Sequence, residues 1–440
     1  MSEARDSRFI ADNQKQIERL AKLGWYHSIE LPDGSVIPGH QSIEQLRTRL
    51  RQFHIPEDLT GKRVLDIGAW DGWFSFEMER RGAAVLALDS TKNTRLIEAK
   101  SLLGSRLDYH IGDICRLTAK DIGTFDIVLF LGVLYHLKHP LLALENVCGM
   151  TRDMACIESF VTDNDPTGIP AMEFYETTEL RGQLDNWCGP NTSCLLAFAR
   201  TAGFARVQLE SVLAERAHVS AYRKWNQPEG NDPPPQILCI ENSTTHDHSF
   251  SAAADDYLTF YFNAAAGLTC DNVYPEIGGY GARPIYVSRI GEGWHASCKM
   301  PPGLDPGWHQ ARLRIEGSRY SQPLQIGIDT DRAAWQAKQV SDLAITRIAD
   351  GKTFESHRIR VGDSSALSVW VTGLPDSATA ADISIRLNGT DLPVVFLAQP
   401  SEHSRQINAL LPAGMQPGTA AVSVVVNGSE TKPTQVTLHR

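Results

Sequence analysis

Asp66 and Asp89 each close an apolar run, and the turn that follows the first of them, Gly68-Ala69-Trp70-Asp71-Gly72, carries two glycines. Carboxylates at the carboxyl ends of successive strands, with a glycine turn between, are what a βαβ unit uses to hold a nucleoside. The glycines let the backbone turn tightly into a helix, and the second acid accepts both hydroxyls of a ribose. Dinucleotide sites keep a small residue in mid-turn so that a diphosphate reaches the helix N-terminus. Trp70 occupies that place here, which favours a ligand without phosphate.

Two further clusters carry polar chemistry. Gly112-Asp113 follows a short strand around Tyr109–Ile111 and sets another carboxylate in a turn. The apolar run from Phe125 breaks at Gly132, and Leu131, Tyr135 and His136 then fall at the carboxyl end of a strand, where open α/β sheets bind ligands. An imidazole titrates near neutrality, so His136, and after it His27 in a connector nearer the start, are the candidate general bases for an acceptor that must lose a proton. No nucleophile triad or metal-ligand set is present, and the eight cysteines contain no CxxC pair.

The order of these motifs resembles the class I S-adenosylmethionine methyltransferases, whose cofactor is a nucleoside carrying an amino acid. The resemblance implies that Asp66 lies near the amino-acid portion, Asp89 holds the ribose and Asp113 meets the adenine edge, with Gly68, Trp70, Gly72 and Leu131 completing the cofactor site. Gly132-Val133-Leu134-Tyr135-His136, together with the lead-in Asp58-Leu59-Thr60-Gly61-Lys62, is similar to the tRNA wobble-uridine (carboxy)methyltransferase group. The tyrosine of that motif helps hold the carboxylate of carboxy-S-adenosylmethionine, so the resemblance gives Tyr135 a cofactor role. The lysine that pairs with this extra carboxylate has no counterpart in Gly24-Trp25-Tyr26-His27-Ser28-Ile29-Glu30. A carboxylate in a partly dry pocket needs a cation, so ordinary S-adenosylmethionine is the expected cofactor.

The elements that must position these residues are legible from periodicity. Arg63 to Ile67 and Ala83 to Leu88 are predicted buried strands around a helix from Trp73 to Arg81, closed by Gly82. A helix near Leu141–Val147, a strand Met154–Val161 and a helix Thr192–Ala202 continue the α/β pattern, and strands Arg206–Leu213 and Gln236–Glu241 are predicted to finish the sheet. Between them the loop bearing Tyr175, Trp187 and Asn191 is placed over the acceptor, making these three the substrate candidates. Ser42-Ile43-Glu44-Gln45 reads as a capping box, and Phe9, Ile10, Ile17 and Leu20 suggest an earlier amphipathic helix.

At 440 residues the chain is too long for one such domain. A helical cap is expected over 1–55 and an α/β Rossmann-like methyltransferase domain over 56–242. Beyond, short alternating strands separated by Gly, Pro, Asn and Ser predict two all-β immunoglobulin-like sandwiches over 246–330 and 343–440, with a linker at 331–342. Met300-Pro301-Pro302-Gly303-Leu304-Asp305-Pro306-Gly307 aligns with Leu411-Pro412-Ala413-Gly414-Met415-Gln416-Pro417-Gly418, and Gly317-Ser318 with Gly428-Ser429. Such modules bind or space, with a protein or glycan as the expected ligand. Trp294, Trp308 and Tyr280 are either a glycan platform or core.

The net charge is −10. A tRNA partner requires a positive track, and only Arg5, Arg8, Lys15, Arg19 and Lys22 offer one, interleaved with acids. The charged N-terminus lacks a signal-peptide core and no segment suits membrane insertion, so a cytoplasmic location is expected, where Cys270 and Cys298 would stay thiols. The sequence therefore predicts a methyltransferase acting on a small-molecule or glycan acceptor. A tRNA wobble-uridine modifier and a non-catalytic binding protein with a vestigial methyltransferase fold are the competing readings.

Overall fold

The computed structural model describes residues 19–162, 168–244, 249–251, 256–265, 267–291, 293–330, 343–362, 365–374, 378–398, 404–426 and 429–440. The early helix built on Phe9, Ile10 and Ile17, the basic residues Arg5, Arg8 and Lys15, the linker 331–342 and Gly428 of the repeat lie outside the described residues. The chain divides into two compact units, one essentially residues 1–226 and the other essentially 227–440.

The first unit opens with a small lobe: a hairpin of β1 (Ile29–Glu30) and β2 (Val36–Ile37), then helix α1 (Ile43–Leu50). Ser42 and Gln45 cap α1 reciprocally, as the sequence pattern requires. The βαβ unit follows: β3 (Arg63–Ile67), α2 (Trp73–Arg80) and β4 (Ala84–Asp89). Helix α3 (Thr94–Leu103) and β5 (Asp108–Ile111) extend it. A one-turn helix α4 (Ala119–Ile122) leads to β6 (Phe125–Leu131). Helix α5 (Pro140–Met150), with its proline in the first turn, leads to β7 (Thr151–Phe160). A two-strand ribbon, β8 (Met172–Phe174) with β9 (Cys188–Pro190), precedes α6 (Thr192–Thr201), and β10 (Arg206–Leu213) and β11 (Arg216–Tyr222) end the unit.

Seven of these strands form one sheet in the order β10-β11-β7-β6-β3-β4-β5. Strands β3 to β7 are parallel, with Leu65 level with both Leu86 and Val128. Strand β11 enters antiparallel between β7 and β10. The chain leaves β3 towards β4 and β5 on one side, then returns to add β6 and β7 on the other. Order therefore reverses between β3 and β6, and a ligand crevice opens at that switch point. Apolar clusters on the two faces, with Val64, Met78 and Leu129 in one and Leu65, Val128 and Leu144 in the other, bury the sheet between its helices.

The predicted closing strand requires correction. Gln236–Asn242 pairs with Tyr257–Asn263 in a different sheet, and Arg216–Tyr222 takes the place assigned to it. The inserted strand reads Arg-Ala-His-Val-Ser-Ala-Tyr, whose small and polar residues hide its β character although Ala217 to Ala221 are all buried.

The second unit contains two sandwiches, and the first begins at Gln236 rather than near 246. Its sheets have four and five strands around Leu258, Phe260, Phe262 and Leu313. The other sandwich packs Val369, Ile385, Ile407, Val422 and Val424. The internal repeat is structural. Gly303 and Gly414 both have φ +80°, and each leads into a nine-residue strand, Gly307–Ile315 or Gly418–Val426. Each sandwich also closes with a parallel pair, Ser249–Phe250 on Gly327–Ile328 and Arg358–Arg360 on Thr437–His439. Trp294 and Tyr280 pack against the core of the first, and Cys270 and Cys298 are free thiols. No helix among the described residues is long and apolar enough to cross a membrane.

Candidate active site

A cleft of about 560 Å³ opens at the switch point of the first unit. It brings Asp66, Gly68, Trp70, Asp89, Asp113, Leu131, Tyr135, His136 and His27 to one cavity, although they span more than a hundred residues of chain. Gly72 lies behind the wall as the N-cap of α2, with φ +90° and no side-chain cap. Gly68 is required by contact as well as by φ +72°, since a Cβ there would run into Val133 Cγ2.

Each strand-end carboxylate is set by its surroundings. Asp66 is fully buried and accepts from Ser75 Oγ at 2.6 Å, and burial raises its pKa to about 7. Asp89 accepts the Trp70 N–H at 3.2 Å and the Tyr109 hydroxyl at 3.3 Å, and burial raises its pKa to about 6. Both therefore stand ready to ionise against a ligand that brings positive charge or hydroxyl donors. Asp113 is half exposed on the cleft wall, where it caps its own turn through the Cys115 N–H at 2.9 Å. Trp70, at φ +54°, leaves its indole 45% exposed over the cleft mouth, with the Arg95 guanidinium 5.4 Å from the ring.

The opposite end of the cleft holds a charge cluster that sequence reasoning missed. Glu158 on β7 is buried between two arginines, Arg49 at 2.8 Å and Arg216 at 3.0 Å. Arg216 also donates to the Tyr135 hydroxyl at 2.7 Å, and burial pushes that phenol up to about 12. Two guanidinium groups share one carboxylate, so this end carries net positive charge. The signal available in the sequence was Glu158 itself, an acid within the apolar run Met154-Ala155-Cys156-Ile157-Glu158-Ser159-Phe160, which cannot be buried without cations. Its partners lie on α1 and β11 and are not adjacent in the chain.

His27 and His136 both reach the cleft. His27 is buried edge-on to Phe74, its Nδ1 has no partner, and burial together with Arg49 lowers its pKa to about 3. His136 is more open, with Nδ1 at 3.0 Å from the Asp185 carbonyl oxygen. The substrate candidates are placed otherwise. Asn191 caps α6 through the Cys194 N–H at 2.8 Å and binds the Ile169 carbonyl at 2.7 Å. Tyr175 packs with Phe160 and Leu180 and donates to Glu173 at 2.9 Å. Trp187 has the Lys138 ammonium 4.1 Å from its ring, and its backbone N–H donates to the Tyr135 carbonyl at 2.7 Å. None of the three lines the cleft; the same loop contributes Leu180, Arg181, Gln183, Asp185 and Asn186 instead.

A family model described as a methyltransferase domain matches residues 65–154, from β3 into β7. The chain is 29% identical over 196 residues to a tRNA U34 carboxymethyltransferase of Pseudomonas paraeruginosa (strain DSM 24068 / PA7), covering 42% of this chain and 59% of that protein. It is 29% identical over 205 residues to a ubiquinone biosynthesis O-methyltransferase of Ralstonia nicotianae (strain ATCC BAA-1114 / GMI1000), covering 45% of this chain and 83% of that one. Among solved structures, the N-terminal domain of EvdMO1 with SAH bound aligns at 20% identity and a TM-score of 0.38, over 48% of this chain and 95% of that domain. The chain thus spans about three-fifths of the length of the carboxymethyltransferase it matches. The first unit is a methyltransferase domain of the S-adenosylmethionine-dependent class, followed by all-β domains.

The residues present fit that cofactor. Asp89 could accept from ribose hydroxyls, and Asp66 could take the ammonium of the methionine portion, since both line the cleft. No cluster of metal-ligating side chains occurs among the described residues.

Proposed function

We propose that the first unit transfers the methyl group of S-adenosylmethionine to a small-molecule or glycan acceptor, bound between the cofactor turn and the loop of residues 180–186. The observation that carries this reading is the size and lining of the cleft. At about 560 Å³ it has the size of a small-ligand site, and it is lined by Tyr26, His27 and Arg49 together with Leu180, Arg181, Gln183, Asp185 and Asn186. A net charge of −10, with Arg49 and Arg216 committed to Glu158, disfavours a polynucleotide backbone, since the sole basic stretch the sequence offered, Arg5 to Lys22, is interleaved with acids.

The chemistry is an in-line displacement. When bound, S-adenosylmethionine would supply a methyl carbon to which the acceptor lone pair could bond as the carbon–sulfur pair returned to sulfur. The protein supplies placement. An acceptor hydroxyl must also lose its proton; burial and Arg49 lower the His27 pKa to about 3, which disfavours it as the base, and His136, which also lines the cleft, takes that role.

One observation favours a second reading of the donor. The sequence argument for plain S-adenosylmethionine was a missing lysine, yet the fold supplies Arg49 and Arg216 beside Tyr135. A donor carrying a carboxylate would find its cation there.

The test is transfer of labelled methyl from S-adenosylmethionine by the purified protein into cell extract separated into RNA, protein, glycan and small-molecule fractions. A parallel reaction uses labelled carboxy-S-adenosylmethionine. Label in the small-molecule or glycan fraction supports the proposal, and label in glycan would give the sandwiches a recruiting role to test. Label in RNA overturns it in favour of tRNA modification. Transfer only from the carboxylated donor replaces methyl by carboxymethyl, and no binding of either donor would establish a vestigial fold.

A further inference from the structure

Asp71 sits in the glycine turn, but its side chain does not line the cleft. It is completely buried, and its two oxygens take four donors. One oxygen accepts the backbone N–H groups of Tyr26 at 2.6 Å and His27 at 3.0 Å. The other accepts Arg95 Nε at 2.8 Å and Asn93 Nδ2 at 3.3 Å. Arg95 reaches on to the carbonyl oxygens of Leu23 and Gly24, at 3.3 and 3.0 Å. A buried carboxylate persists only where a cation and hydrogen bonds replace its lost water, and Asp71 meets that condition with donors from a segment 44 and 45 residues away.

The segment so held is the strip that brings Tyr26 and His27 to the cleft wall. Its other backbone bonds stay within the lobe, from His40 N–H to the Trp25 carbonyl and from Gln41 N–H to the Tyr26 carbonyl. Asp71 and Arg95 therefore form the hydrogen-bonded tie between this strip and the glycine turn.

We propose that Asp71, braced by Arg95, is a positioning residue that fixes the Tyr26–His27 strip over the acceptor end of the cleft. The turn that holds the cofactor then also assembles the acceptor wall. The proposal rests on the transferase reading above. Because Asp71 does not itself line the cleft, loosening the strip should impair transfer far more than cofactor binding.

The experiment compares the full chain with Asp71→Asn, which turns an amide donor towards groups that are all donors, and with Arg95→Gln, which breaks the tie from its partly exposed side. Three quantities are read: amide exchange at Tyr26 and His27, affinity for S-adenosylhomocysteine by calorimetry, and label transfer into the extract fraction that accepts it. Exchange at least about tenfold faster, transfer reduced at least about tenfold and affinity changed less than about threefold are expected in both variants. Unchanged exchange, or faster exchange with transfer intact, overturns the proposal. So does affinity falling by the same factor as transfer, which would place Asp71 in the cofactor site. A wild-type protein that labels no fraction removes the transferase reading, and the proposal with it, before any variant is made.

Discussion

Asp89→Asn tests the cofactor site with the least disturbance of shape. In the free protein the Asp89 carboxyl is 7% exposed, and its protein partners, the Trp70 N–H and the Tyr109 hydroxyl, lie at the long distances of 3.2 and 3.3 Å. Neither bond is strong, so the carboxylate has capacity left for ribose hydroxyls. Hydrogen bonds to a charged group contribute about 1.5–3 kcal/mol, so replacing the carboxylate by an amide should weaken S-adenosylhomocysteine binding about 10- to 150-fold at pH 7.5. The acidity gives an internal control. Burial raises the Asp89 pKa to about 6, so the free protein carries a proton there at lower pH that must leave before the ionised contact forms. Wild-type affinity should therefore fall as pH drops through 6, and the variant should lose that dependence. The same shift implies that the ligand-free fold, holding a proton the unfolded chain has released, loses stability as pH rises from about 4 to 6. Calorimetry at pH 7.5 and 5.5 reads the binding effects. Affinity within about twofold of wild type at pH 7.5, or an unaltered pH slope in the variant, would refute the assignment of Asp89 to the ribose.

Gly68→Ala should lose about 1–3 kcal/mol, because the added methyl meets Val133 Cγ2 in a left-handed backbone conformation; an unchanged denaturation midpoint would show that the turn gives way freely. Glu158→Gln leaves Arg49 and Arg216 without their anion and should cost about 3 kcal/mol or more, read as a lowered Tm, whereas a rise would mean that the arginines repel less than the carboxylate costs to bury. Asn191→Ala should cost about 1 kcal/mol through the lost cap of α6, with acceptor KM unaltered, and a raised KM at unchanged stability would assign Asn191 to the acceptor instead.

Local chemistry was legible where one stretch of chain carried the whole signal. The two buried strands, the glycine turn and the terminal acid of the βαβ unit lie within Arg63 to Asp89, and the structure reproduces them as β3, α2 and β4. The β repeat was legible for the same reason, since Gly303 and Gly414 recur with their prolines ahead of equivalent strands. Strand β11 was not, because its burial comes from insertion between β7 and β10 and its residues show little apolar alternation. The loop bearing Tyr175, Trp187 and Asn191 was recognised as one that borders the cleft, but which of its side chains face inward depends on the ribbon and helix cap that fix its path.

The sequence by itself determined the class of fold, the position of the glycine turn and the carboxylates that flank it, because periodicity and glycine placement act over a few residues. Only the tertiary structure decided what the far end of the cleft contains. Glu158 draws Arg49 from the lobe and Arg216 from the antiparallel strand, and Asp71 draws in the backbone of Tyr26 and His27. Each is a buried charge that must find its partners wherever the fold brings them, and no local pattern in the chain records where that is.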